Sequence, residues 1–219
     1  MKVVCLWSGG KDSCFACYKA KTSGHEILGL FNFTDAEGNN SLSHGLPAGL
    51  IVKQAGLIGI RLVQKAMPKE KYEEEFKSLI SEWKKKEGIE GIVFGDIYLR
   101  EHKDWIDRVC RELKVIPILP LWDRDTKELI LEMLNAGFES IVVATKADLL
   151  GKEWLGRSLN KKFIQELNPG IDPCGEKGEF HTLVVNGPMF SKPIKIIEAE
   201  PVIKERFGKH WVLEIKKYN

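Results

Sequence analysis

Residues 2–13 read KVVCLWSGGKDS. The stretch 2–7 is a short apolar run without polar alternation, the pattern of a strand buried on both faces. Ser8-Gly9-Gly10 breaks it, and residues 11–22 carry a helical pattern. Two adjacent glycines let the backbone turn tightly and approach a ligand closely. The N–H groups and dipole of the helix that opens there favour an anion. The hydroxyls of Ser8 and Ser13 can donate to phosphate oxygens, and Lys11 supplies positive charge. Asp12 repels a bare phosphate and suits Mg²⁺ or backbone amides instead. The spacing is neither the Walker loop G-x-x-x-x-G-K-[ST] nor the dinucleotide fingerprint G-x-G-x-x-G. The plain alternative is an ordinary glycine turn with a serine cap.

The same alternation continues downstream. Strands are expected at 27–34, 60–65, 91–95 and 115–120. Helices are expected at 45–56, 70–87 and 99–113, the second carrying Tyr72, Phe76, Leu79, Ile80 and Trp83 on one face. Apolar strands separated by helices give a doubly wound α/β domain with a parallel sheet. The pattern changes after residue 122. A helix at 126–134, a strand at 140–144 and a helix at 159–167 precede NPGIDPCGEKGEF (168–180), an ordered Gly/Pro-rich loop. Strands follow at 182–185, 194–199 and 211–215, with turns at Gly187-Pro188 and Gly208. Two domains are expected: 1–122, which binds nucleotide, and a smaller α+β region, 123–219.

Composition narrows the class. The chain has 219 residues, 43% apolar and 29% charged, which excludes collagenous, disordered and coiled-coil types. No apolar stretch is long enough to span a membrane, and the N-terminus reads as lacking a secretory signal. A net charge of +2 argues against a dedicated nucleic-acid binder. Five cysteines outside a secretory context read as reduced thiols of a cytoplasmic protein. Cys14-x-x-Cys17 lacks a second such pair, so no closed zinc site is expected. Lys (26) and Glu (22) far outnumber Arg (7), and Asn plus Gln total 11, the bias of thermophile proteins.

SGGKDS at the end of the first strand resembles the loop of the N-type ATP pyrophosphatases, the PP-loop superfamily of adenine nucleotide alpha-hydrolase-like proteins. That resemblance implies ATP cleavage between the α and β phosphates, with Ser8, Gly9, Gly10, Lys11, Asp12 and Ser13 holding the pyrophosphate end. It also implies strand order 3-2-1-4-5, with the first and fourth strands adjacent at a switch point. Gly95 and Asp96, ending the fourth strand, would then face the loop. Asn32 and Phe33, ending the second, would take the adenine.

Further stretches narrow the family. FGDIYLREHKDW (94–105), CRELKVIPILPLW (110–122), His44 and GIDPCGEKGEFHTLVVNGPMF (170–190) resemble the diphthine–ammonia ligase family. The resemblance runs from residue 1 to 190. The resemblance implies a form shorter than the eukaryotic one, whose appended C-terminal domains are not expected here. It implies Mg·ATP-dependent amidation of diphthine, a carboxylate on a modified histidine of translation elongation factor 2. An acyl-adenylate would form, AMP and pyrophosphate would leave, and ammonium would supply nitrogen. No glutaminase half is evident, so free ammonia or a separate donor is implied.

Within that reading Glu176 or Glu179 would strip a proton from ammonium and His181 would orient the substrate. Lys11 and Asp12 would act on the phosphates, Asp12 with Mg²⁺. His44, Arg100, Glu101, Trp105, Cys174, Gly175 and Thr182 are substrate-site candidates. Arg100 has the fork geometry for a carboxylate or phosphate. Surface charge is the plain alternative for Arg100 and Glu101, and an acidic turn for the 176–181 cluster. Cys14 and Cys17 share a helix face, which suits packing on a sheet and also fits sulfur chemistry. Two other functions stay open on the residues alone: a PP-loop enzyme modifying a tRNA base, and a non-catalytic ATP or AMP sensor. A homo-oligomer also stays open.

Overall fold

The computed structural model describes residues 1–205 and 208–219. The chain divides into two compact units. One comprises Met1–Ser8 with Asp12–Trp122, the other Gly9–Lys11 with Asp123–Asn219.

In the first unit β1 (Lys2–Leu6) leads through residues 7–10 into α1 (Lys11–Thr22). Then follow β2 (Glu26–Thr34), α2 (Ala48–Ile58), β3 (Leu62–Ala66), α3 (Tyr72–Glu87), β4 (Gly91–Val93), α4 (Arg100–Leu113) and β5 (Ile116–Ile118). The five strands pair in parallel in the order β3-β2-β1-β4-β5. This is the expected doubly wound sheet, with β1 and β4 adjacent. The central strands of the sheet bury apolar side chains: Val3, Val4, Cys5, Leu30, Ile92 and Val93 are at most 1% exposed. The face of α3 packs as its spacing predicts, burying Phe76, Leu79, Ile80 and Trp83. Trp83 meets Phe31 edge-on at 4.8 Å, and Phe76 meets Phe33 at 5.9 Å. Large side chains of this kind contribute about 1.5–3 kcal/mol each when buried.

Boundaries differ from expectation where Gly and Pro act. The helix expected at 45–56 begins at Ala48, because Gly45 has φ 65° and Pro47 is extended at ψ 131°. It runs on to Ile58, where Gly59 ends it in the left-handed region. β4 and β5 are shorter than the apolar runs that announce them. Their last residues leave the ladder and line the carboxyl edge, with Phe94 N–H still reaching Ile118 O at 2.9 Å.

The second unit holds α5 (Thr126–Asn135), β6 (Glu139–Lys146), α6 (Lys161–Glu166), β7 (Phe180–Asn186), β8 (Ile196–Glu205) and β9 (Lys209–Tyr218). Asp125 caps α5, accepting the N–H groups of Lys127 and Glu128 at 2.9 Å. The four strands form an antiparallel sheet in the order β7-β6-β9-β8. β8 and β9 are longer than the apolar runs suggest. A hairpin ladder needs no continuous apolar face, and its charges pair across the strands: Lys204 with Glu214, Lys216 with Glu200. Among the described residues no helix is long and apolar enough to cross a membrane.

Candidate active site

The loop after β1 has the form its residues dictate. Gly9 turns the chain at φ 83°, and α1 opens at Lys11. The Ser8 N–H donates to Ser13 Oγ at 3.2 Å, and the two hydroxyls lie 3.0 Å apart. Gly95, just past β4, comes so close that a Cβ there would sit 2.9 Å from Asp12 C and Ser13 N. Only glycine permits that approach. The loop and the end of β4 thus meet at the switch point between β1 and β4, where anion-binding amides are expected in this topology.

Gly9–Lys11 is gripped by β7 and the loop before it, within the second unit. Gly9 O accepts the Val184 N–H at 3.0 Å, and the Lys11 N–H donates to Thr182 Oγ1 at 3.1 Å. Lys11 is 3% exposed. Its Nζ donates to the carbonyl of Cys174 and lies 5.5 Å from the centre of the Phe180 ring. A cation buried this deeply needs such acceptors, and a phosphate would be a stronger one.

The loop of residues 167–179 shapes itself. Asp172 Oδ1 accepts the Cys174 N–H at 2.6 Å. Glu179, 5% exposed, accepts the N–H of Lys177 at 2.9 Å and that of Asp172 at 3.5 Å. Gly175 has φ 66°, and a Cβ there would lie 2.8 Å from Phe180 O. Cys174 is 1% exposed, and its thiol donates to Thr126 O at 3.4 Å. Thr182 is also buried, its hydroxyl on Lys11. Glu176 and His181 are half-buried. Burial first, then the Lys11 charge and His210, pushes the His181 imidazole down to about 4, so it is neutral near pH 7.

Several expected site residues turn elsewhere. The Asn32 amide donates to Trp7 O at 2.8 Å and accepts from Gln64 at 3.1 Å. Phe33 packs against Tyr72 and Phe76. Both side chains are therefore held inside the first unit. Trp105 joins the seam of α3 and α4. Its ring meets Phe76 at 5.3 Å and its indole N–H donates to Glu73 at 2.9 Å, so it is a packing residue. The Glu179 carboxylate holds its own loop's amides, which leaves it ill suited to strip a proton from ammonium. Arg100 and Glu101 are exposed in the first turn of α4, with the Arg100 guanidinium 5.8 Å from the centre of the Trp122 ring. His44 is half-buried in the loop between β2 and α2.

Cys5, Cys14 and Cys17 are all fully buried. Burial pushes the Cys5 and Cys14 thiols well up, which suits packing and opposes thiolate chemistry. Asp96 follows Gly95 just past β4, and its Oδ1 is 2.8 Å from His102 Nδ1, a pairing that chain order does not show. The sequence also gave no sign that Phe180 and Val184 bear on the glycine loop. The two residues joined by the Lys11–Thr182 bond stand 171 positions apart.

Residues 1–117 match the family model described as "Diphthamide synthase N-terminal domain", and residues 125–219 match "Diphthamide synthase C-terminal domain". A Homo sapiens protein named diphthine--ammonia ligase is 28% identical over 93% of this chain and 85% of its own length. Its Danio rerio counterpart is 29% identical over 93% of this chain and 89% of its own. The Schizosaccharomyces pombe protein of that name is 27% identical over 99% of this chain, which spans 39% of that protein.

Proposed function

The chain belongs to the diphthamide synthase family, and from that premise we propose that it is an ATP-dependent ligase that amidates diphthine on translation elongation factor 2. The observation that carries the reading is the SGGKDS loop at the β1–β4 switch point, with Gly95 against its backbone. A carboxylate is a poor electrophile because oxide is a poor leaving group. Adenylation converts it to an acyl-adenylate with AMP as leaving group, releasing pyrophosphate. Ammonia then attacks the carbonyl carbon, the C–O bond to AMP breaks, and the amide forms.

Ser8 to Ser13 bind the pyrophosphate end of ATP. Backbone amides at the start of α1 and the Lys11 ammonium neutralise the charge that develops there. Asp12, Ser8 and Ser13 offer hard oxygen donors suited to Mg²⁺. Among the described residues no group of three or more His, Cys, Asp or Glu side chains is placed to hold a metal. When bound, Mg²⁺ would offset phosphate charge. On the acceptor side, Glu176 and His181 present a carboxylate and a neutral imidazole. Glu179, Cys174, Gly175 and Thr182 shape the loop and hold Lys11.

The test is isotope exchange between pyrophosphate and ATP. Exchange that requires the diphthine-bearing factor and proceeds without ammonium supports the adenylate. Exchange that ignores the factor, or its absence, contradicts the reading.

A further inference from the structure

Amidation from ammonium has a proton problem that the phosphate loop does not solve. NH₄⁺ has no lone pair, so one proton must leave before attack, and the nitrogen bonded to the carbonyl carbon must lose another. The group that takes it must lie near the nucleotide and exchange protons with water.

Asp96 and His102 form such a pair in the first unit. Asp96 Oδ1 lies 2.8 Å from His102 Nδ1, with the two side chains 23% and 59% exposed. Asp96 directly follows Gly95, the residue packed on the Asp12–Ser13 backbone, so the pair is anchored beside the start of α1. His102 stands in the first turn of α4, where the helix dipole disfavours a cation, and the carboxylate offsets that. Asp96 also faces Tyr72 of α3, whose hydroxyl is pushed up to about 12 by burial and then by the Asp96 charge. Along α4 itself, Arg100 and Lys103 lie over the Trp122 ring, Lys103 is bonded to Asp107, and Glu101 is exposed. With Nδ1–H donated to the carboxylate, the ring presents Nε2 as its acceptor.

We propose that His102, oriented by Asp96, is the proton acceptor for the incoming nitrogen nucleophile. This rests on the amidation reading above. Nε2 takes one proton from NH₄⁺; the NH₃ so formed attacks the carbonyl carbon as the C–O bond to AMP breaks, and the nitrogen's second proton passes to water. Asp96 stays a carboxylate and supports the imidazolium, which returns its proton to water. Asp96 is thus a positioning residue.

The experiment compares His102→Gln and Asp96→Asn with the wild type, using Mg·ATP and the diphthine-bearing factor. Amide formation from ammonium is set against hydroxamate formation from hydroxylamine, which is already neutral at pH 7. Factor-dependent pyrophosphate exchange is followed beside them. In His102→Gln the ammonium rate should fall by about 10²–10⁴-fold. The hydroxylamine rate should fall far less, and exchange should persist. Asp96→Asn should raise the hydroxylamine-to-ammonium ratio in the same direction, whatever it does to exchange. An ammonium rate in His102→Gln close to wild type overturns the proposal, as does an equal loss with both nucleophiles. Absence of exchange in the wild type defeats the amidation reading and this inference with it. Cooperative urea unfolding of both variants separates these outcomes from misfolding.

Discussion

In residues 8–13 the polar groups gather at a helix start: Ser8 and Ser13 hydroxyls 3.0 Å apart, with Asp12 between Lys11 and Ser13. In residues 167–179 the acidic groups turn back on their own backbone, Asp172 onto Cys174 and Glu179 onto Lys177 and Asp172. Both loops are short in apolar residues and rich in glycine and charge. The first has its shape fixed from outside, by β1, α1 and the close packing of Gly95. Its polar side chains then gather at the start of α1. The second has no ladder of its own, and side-chain acceptors must hold its amides. Charge in a loop therefore marks a site only when something else already holds the loop.

Breaking the first loop should have the largest effect. Asp12→Ala and Ser8→Ala should each reduce factor-dependent pyrophosphate release by about 10²–10³-fold while unfolding in urea stays cooperative. A variant that turns over like wild type would remove the phosphate-site assignment.

The next effect concerns the strand that follows the second loop, where His181 lies in β7. His181 is held near 4 in the fold against 6.5 when unfolded, so the unfolded chain binds more protons between those values. Its contribution is complete above about pH 6.5 and is lost as pH falls toward 4, up to about 3 kcal/mol. Urea midpoints measured from pH 7.5 to 4 should show that slope, and His181→Gln should flatten it. An unchanged slope in the variant would assign the acid sensitivity to other groups.

Glu179→Ala should destabilise by about 1–3 kcal/mol, because it strands two amides. A urea midpoint equal to that of the wild type would contradict this role for Glu179. Asp125→Ala sets the floor: loss of one helix cap should lower stability by about 1 kcal/mol and leave ammonium-dependent turnover at 25 °C untouched.

Much of the first unit was legible because its signals are local. An apolar strand, two glycines and a helix start lie within residues 2–13, and the α3 stripe from Tyr72 to Trp83 announces its own packing. The site was legible to the same depth and no further. Ser8, Lys11 and Asp12 can be read from chain order. That Lys11 would reach Cys174 and Thr182 cannot, since the contact is made through tertiary structure. Asn32, Phe33 and Trp105 are each polar or aromatic at a promising position, and each is engaged by a partner that chain order does not show. Asp96 and His102 were both visible, but their pairing depends on how residues 97–99 turn into α4.

Product analysis tests the central claim most directly. The protein is incubated with Mg·ATP, ammonium and diphthine-bearing elongation factor, each omitted in turn, while AMP, ADP, pyrophosphate and the mass of the factor are followed. Amidation through an acyl-adenylate yields AMP and pyrophosphate in equal amounts, dependent on the factor, with amide formed only when ammonium is present. ADP and phosphate as products, or AMP release indifferent to the factor, would contradict it.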